Sequence, residues 1–292
     1  MVSLKNCKAG YFQDLLGQAV HISSEVSMPY TIYSKVVRSA LQECQEHRIQ
    51  DCAINPKCLA VRTTSGTGLA YLPPDAWETA KKIGPGRFEK NCRGAALADI
   101  VPLYLDNCLL RTTLGLAAIN SLLIRHGEYD RGAWQGDLAG IQRLGMAGDL
   151  RPFVNRLGCG NAEQVVFELN PFPGAYSPEQ AAEILPFCDA VFITSATFSN
   201  KTVHQYIPYV SPGAKAFIFG HGTPLTDVLL DLFTLCSIDV LASAQAFADL
   251  RDGKGIRELK PYTRKVIRHR NEAGAELIGA HPGDGSETSL RQ

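Results

Sequence analysis

Apolar positions fall into two regimes along the chain. In the first hundred or so residues, helical stretches alternate with short extended runs, which predicts an α+β unit. Phe12 to Val20 reads as a helix and Thr31 to Gln45 as a longer apolar segment, partly helical or extended. Asp51 to Ile54, Cys58 to Thr63 and Gly68 to Leu72 read as strands. The last two are joined by Thr64-Ser65-Gly66-Thr67, a turn by composition, and Pro73-Pro74 ends the hairpin. Ala95 to Leu103 looks helical. Leu109 to Leu123 is a strongly apolar helix whose Gly115, Ala117 and Ala118 allow close packing. Asn120 stands in the middle of that helix and, if buried, must find hydrogen-bond partners. Two roles fit it equally: a tie from the helix to a loop at the domain junction, or a ligand contact.

From Gly140 the pattern becomes an alternation of short apolar runs and helical spacing. Ile141 to Leu144, Val165 to Glu168, Ala190 to Thr194, Ala216 to Phe219 and Ile238 to Ala242 read as strands. Helices are expected near Leu150, Glu179, Val203 and Leu225. Buried strands alternating with helices predict a parallel sheet covered on both faces, a Rossmann-like arrangement. The expected organisation is an α+β domain over residues 1–108, a Rossmann-like α/β domain over 109–258, and a partly disordered C-terminal extension over 259–292. Within the extension, the basic run Lys260 to Asn271 fits a last strand or helix, and Asp284 to Gln292 a frayed tail.

Open α/β sheets bind ligands at the carboxyl ends of their strands. Those ends here converge on polar or small residues: Gly145-Met146-Ala147-Gly148-Asp149, Glu168 to Asn170, Thr194 to Thr197, and Gly220-His221-Gly222-Thr223. The glycines of the first turn permit close approach of a ligand to backbone N–H groups. Glu168 follows Gly148 by twenty positions, a spacing at which an acid can accept hydrogen bonds from a ribose. The turn is G-x-x-G-D, however, and not G-x-G-x-x-G, and Asp149 fits a helix-dipole role near an N-terminus. Together, Asp149 and Glu168 could also hold a hard cation or split their pKa values.

His221 lies at a strand end between two glycines. A neutral imidazole there can ligate a borderline metal or act as a base; the plain alternative is a loop histidine facing solvent or capping the next helix. Thr194, Ser195, Thr197 and Asn200 fit hydrogen-bonding groups around a polar ligand, and Ser199 or Asn200 also fits a helix cap. No G-x-S-x-G elbow supports a serine hydrolase. Cys44, His47, Cys52 and Cys58 form the densest cysteine–histidine cluster, but their spacing matches no tight zinc knuckle and buried thiols are the default.

Composition narrows the classes. The 292 residues are 45% hydrophobic, and 29 Lys and Arg balance 29 Asp and Glu. Zero net charge argues against a general nucleic-acid or membrane-surface binder. The apolar runs are too short to span a bilayer, Met1 to Gly10 lacks a signal-peptide core, and the nine cysteines form no C-x-x-C pair. A cytoplasmic protein with mostly free thiols is expected.

One family fits these motifs in order. Asp189 to Thr194 runs into Ser199-Asn200-Lys201-Thr202, and Ala216 to Phe219 into Gly220-His221-Gly222-Thr223-Pro224-Leu225. With Leu114 to Asn120 upstream, and Gly68-Leu69-Ala70-Tyr71 as the hairpin, the chain resembles the DUF364 family, a group linked to heavy-metal chelation, with its N-terminal DUF4213 domain. The resemblance implies an enolase-N-terminal-like first domain, a Rossmann-like second domain and a site in the cleft between them. That site would use the Gly145 turn, Glu168, the Thr194 to Asn200 loop and the Gly220 to Thr223 loop. Family members tend to have proline and serine after the glycine at the Gly220 position, where this chain has His221 and Gly222.

Two functional readings stand ahead of a third. The first is binding of a metal ion, or of a metal-chelating small molecule, in the interdomain cleft, with His221 and Glu168 as metal ligands. The second is an enzyme with an adenosine-containing ligand, S-adenosylmethionine or a nucleotide, whose ribose Glu168 would hold. The third is a ligand sensor without turnover. The oligomeric state, a homo-oligomer included, is open.

Overall fold

The computed structural model describes residues 32–271 and holds two sheets clasped around one helix. The expected helix at 12–20 and the tail at 284–292 lie outside the described residues. Helix α1 (Ile32–Leu41) buries Tyr33, Val36, Val37 and Ala40, the one-sided stripe of an amphipathic helix. Three antiparallel strands follow in the order β1-β2-β3: β1 (Asp51–Asn55), β2 (Cys58–Arg62) and β3 (Thr67–Tyr71). Helices α2 (Pro74–Ile83), α3 (Pro85–Cys92) and α4 (Leu97–Ile100), then a 3₁₀ turn Val101–Leu105, lead into α5 (Leu109–Leu123).

Helix α5 is buried almost all round, which explains its apolar sequence with little polar stripe. It packs on β2 and β3 on one side and reaches the second sheet's helices on the other. Two glycines set these approaches. A Cβ at Gly68 of β3 would lie 2.0 Å from the Ala117 carbonyl oxygen, and one at Gly115 would lie 2.3 Å from the Tyr104 nitrogen. Asn120 is 2% exposed and donates Nδ2–H to the Leu69 carbonyl at 2.7 Å. It therefore ties α5 to β3.

The second sheet has the order β4-β10-β9-β8-β7-β5-β6. Strands β5 (Arg143–Ala147), β6 (Glu163–Phe167), β7 (Ala190–Thr194), β8 (Lys215–Phe219) and β9 (Thr234–Val240) are parallel. The two-residue β4 (Glu128–Tyr129) and β10 (Thr263–Arg268) close one edge, β10 antiparallel to both β4 and β9. Between strands lie only short helices: α6 (Arg151–Val154), α7 (Ala181–Ile184) and α8 (Ala196–Ser199). Side chains alternate between faces. Val191, Ile193, Ala216 and Ile218 face the core shared with α5, and Phe192 and Phe217 face a second cluster with Val154 and Trp134. Helices α6 and α7 thus cover opposite faces, and the winding reverses between β5 and β7.

Several expectations shift by a turn or a few residues. Strand β5 runs on through Gly145, Met146 and Ala147, all buried, so the turn begins only at Gly148. Gly145 leaves room for a neighbour: a Cβ there would lie 2.6 Å from a Leu185 methyl. The helices expected near Val203 and Leu225 are single 3₁₀ turns, Val203–Gln205 and Asp227–Leu229, in a stretch broken by Pro208, Pro212 and Pro224. Strand β9 starts at Thr234 rather than Ile238. The basic segment supplies β10, with Arg264 and Lys265 exposed and Val266 and Ile267 buried.

Helix α9 (Ser243–Arg251) returns from the large sheet to β1. Arg251 donates Nε–H to Glu89 Oε2 at 2.9 Å and Nη2–H to Asp51 Oδ1 at 2.7 Å, and Glu89 Oε1 accepts the Ile54 N–H at 3.0 Å. Glu89 is only 7% exposed. Removing the guanidinium strands a buried carboxylate, so Arg251→Met is expected to lower unfolding free energy by about 2–4 kcal/mol. Urea denaturation checks this, and Glu89→Gln placed on the Arg251→Met background should recover part of the loss.

Candidate functional site

The carboxyl ends of the parallel strands form one rim, and β3 of the small sheet abuts it. After β8 the chain turns through Gly220, whose φ of 135° and short distance to Ser195 both exclude a side chain: a Cβ there would overlap the Ser195 hydroxyl at 2.1 Å. Ser195, 2% exposed, accepts the Gly222 N–H at 3.2 Å. Gly222 in turn packs on β3, where a Cβ would sit 3.5 Å from both Ala70 Cα and the Tyr71 nitrogen. Asn120 meets the neighbouring residue of the same strand, Leu69. One stretch of β3 therefore forms a wall facing both α5 and the β8 loop. Thr223 folds back within its own loop, its hydroxyl donating to the Gly220 carbonyl at 2.9 Å.

His221 sits at the apex of this loop. Its residue is partly buried, and its Nε2 is fully buried with no partner among the described residues. Burial pushes its pKa down to about 4, because a charged imidazolium loses its hydration there. At neutral pH the ring is uncharged. Two more buried side-chain oxygens, Asn120 Oδ1 and Ser199 Oγ, lack partners among the described residues.

At the other side of the rim, Gly148 (φ 90°) turns against Thr194, whose methyl would touch a Cβ there at 2.7 Å. Glu168 Oε1 accepts the Asp149 N–H at 2.8 Å. Asp149 holds Arg151 through both carboxylate oxygens, at 2.8 and 2.7 Å, and the Arg151 guanidinium beside it lowers its pKa. The N–H groups that would cradle a phosphate at this turn are thus met by the chain's own carboxylates. Thr194 carries the Thr197 hydroxyl on its carbonyl at 2.7 Å, and Asn200 Oδ1 accepts the Thr202 hydroxyl at 2.7 Å. Asn200 closes the turn after α8, where Lys201 has a φ of 56° and donates Nζ–H to the Asp106 carbonyl.

The predicted residues therefore share a rim but fall into two groups. Glu168 with the Gly148 turn lies at the β6 edge; His221 with Gly220, Gly222 and Thr223 lies after β8. Three strand steps separate β6 from β8, about 14 Å at the usual strand spacing. Met146 and Ala147 are buried in β5. No group of three or more His, Cys, Asp or Glu among the described residues is placed to hold a metal ion. The Cys44–Cys58 set follows that rule: its cysteines are free buried thiols, and His47 Nδ1 lies 2.6 Å from the Thr64 hydroxyl. Ser195 as the hub of the β8 loop was not legible from its spacing; the glycine after the next apolar strand was its only trace.

The comparisons agree with this architecture. Residues 136–269 match the DUF364 family model and residues 37–123 the DUF4213 model, each described as "Putative heavy-metal chelation". The chain thus carries a DUF364 domain with a DUF4213 domain ahead of it. A DUF364-family protein of unknown function from Desulfitobacterium hafniense superposes with a TM-score of 0.67 at 21% identity, covering 83% of this chain and all of that one. One from Pyrococcus horikoshii does so at 0.64 and 19%, covering 82% of this chain and 99% of its own. At such identities the likeness speaks for the fold. No curated protein matches the chain.

Proposed function

We propose that the chain binds a transition-metal ion already held by a small chelator, in the cleft between β3 and the rim of the large sheet, with His221 giving the protein's own ligand. The observation that carries this is the buried, unpartnered Nε2 of an imidazole held neutral at physiological pH. A neutral imidazole is a ligand for zinc, copper and nickel ions. Alone it would hold a bare ion weakly, and the described residues bring no three-donor group to it. A chelate with an open coordination position needs only one more donor. Gly220, Ser195 and Gly222 fix the loop that presents it. The chelation named for both domain models points the same way.

Glu168 is assigned to the turn. Its bond to Asp149 and its distance from His221 suit a strut that closes the β5 loop. The same bond disfavours an adenosine-containing ligand, because the phosphate-binding N–H groups and one acceptor oxygen are engaged. Isothermal titration of untagged, metal-stripped protein with zinc nitrilotriacetate tests the reading. Binding is expected for the wild type and lost in His221→Ala, with Glu168→Gln unaffected. Equal binding by His221→Ala would overturn it.

A further inference from the structure

We infer that the β4–β10 edge of the large sheet holds a second ligand site, one built for a small zwitterion carrying an ammonium and a carboxylate. A pocket of about 430 Å³ lies there. This is within the range of small-molecule sites. It is separate from the His221 loop, because none of its lining residues comes from the segment after β8. Ile267 pairs across the ladder with Glu128, so both project to the face that carries Trp134 and Phe217. Asp130 and His269 lie just past the ends of β4 and β10 and line the same pocket, Asp130 bonded to Trp134.

The lining sorts by chemistry. Trp134 and Ile267 form an apolar floor, and the indole also packs on Phe217 and Phe219 with ring centroids 5.3 and 5.1 Å away. Asp130 Oδ1 fixes that floor by accepting the Trp134 Nε1–H at 3.0 Å and the Gly132 N–H at 2.7 Å. Its second oxygen and the Glu128 carboxylate bring negative charge to the lining. Arg131 and His269 bring donors to it. Glu128, Arg131 and His269 are exposed and have no partner among the described residues, so the carboxylate, the guanidinium and the imidazole are available to a guest. No metal-holding group forms from these acids and the histidine. Acids and bases of opposite sign over an aromatic floor match a free amino acid or a dipeptide: the carboxylate on Arg131, the ammonium on Asp130 and Glu128, and the side chain over Trp134.

The chain has two tryptophans, so Trp77→Phe leaves Trp134 as the one indole reporter. The test titrates this variant with L-phenylalanine, with glycyl-phenylalanine, and with phenylacetate and phenethylamine, which each keep one charge. Saturable fluorescence change with either zwitterion is expected, with each single-charge analogue at least about tenfold weaker and Arg131→Gln about tenfold weaker for the zwitterion. Preference between the amino acid and the dipeptide identifies the source. No saturable change at millimolar zwitterion, equal binding of the single-charge analogues, or unchanged binding in Arg131→Gln would each overturn the site. Arg131 is exposed, so its replacement leaves the fold intact.

Discussion

Gly68→Val is expected to lower the unfolding free energy by about 4 kcal/mol or more, and to remove ligand binding with it. A Cβ at this position would lie 2.0 Å from the Ala117 carbonyl oxygen and 2.2 Å from the Ser121 nitrogen. Both are backbone atoms of a helix buried almost all round, so no side chain can rotate away. Strand β3 would have to lift off α5, breaking the Asn120 tie to Leu69 and the seat of Gly222 on Ala70. Core packing tolerates very little such displacement. Gly86 of α3 is the matched control: a Cβ there meets nothing within 4 Å. Gly86→Ala should be neutral or stabilising by up to about 1 kcal/mol. Guanidinium unfolding of the two variants decides the matter. A Gly68→Val protein within 1 kcal/mol of wild type would mean that β3 does not dock on α5 as described.

His221 should make the wild type acid-sensitive in a window that His221→Gln lacks. Its folded pKa, about 4, lies below the ordinary histidine value of 6.5. Between these values the unfolded chain binds the proton and the native chain does not, so stability rises with pH there. The neutral ring carries no penalty above pH 6.5. On acidification the wild type is expected to lose about 2 kcal/mol by pH 5 and about 3 kcal/mol by pH 4, relative to the variant. Chemical denaturation of both proteins at pH 7.5, 6, 5 and 4 measures this difference directly. A constant gap between the two proteins across the series would contradict the burial of the ring.

Much of this fold could be read from apolar runs alone. Helix α5 has the bounds its sequence suggested, Leu109–Leu123, because nothing interrupts its apolar run. Strand β7 likewise spans Ala190–Thr194, bounded by polar residues on both sides. The turn before α6 was placed early because glycine reads as punctuation, yet Gly145 is a strand residue chosen to admit Leu185. Helices at Val203 and Leu225 shortened because their prolines allow single turns only. At the site, the strand ends could be anticipated, since topology decides where they gather. Their partners could not. Glu168 takes the Asp149 N–H, and Ser195 takes the Gly222 N–H, through contacts that only the folded chain creates. Nor does spacing announce that Gly68 must meet a helix backbone, since its φ lies outside the left-handed region.

Ligation of a chelated metal by His221, as proposed, has a direct spectroscopic signature. Electron paramagnetic resonance of copper nitrilotriacetate, added in equimolar amount to untagged protein, reads the coordinating atoms. Hyperfine coupling from one imidazole nitrogen is expected in the wild type, absent in His221→Ala and retained in His204→Ala. An imidazole signal that persists in His221→Ala, or a spectrum of the free chelate in the wild type, would contradict it.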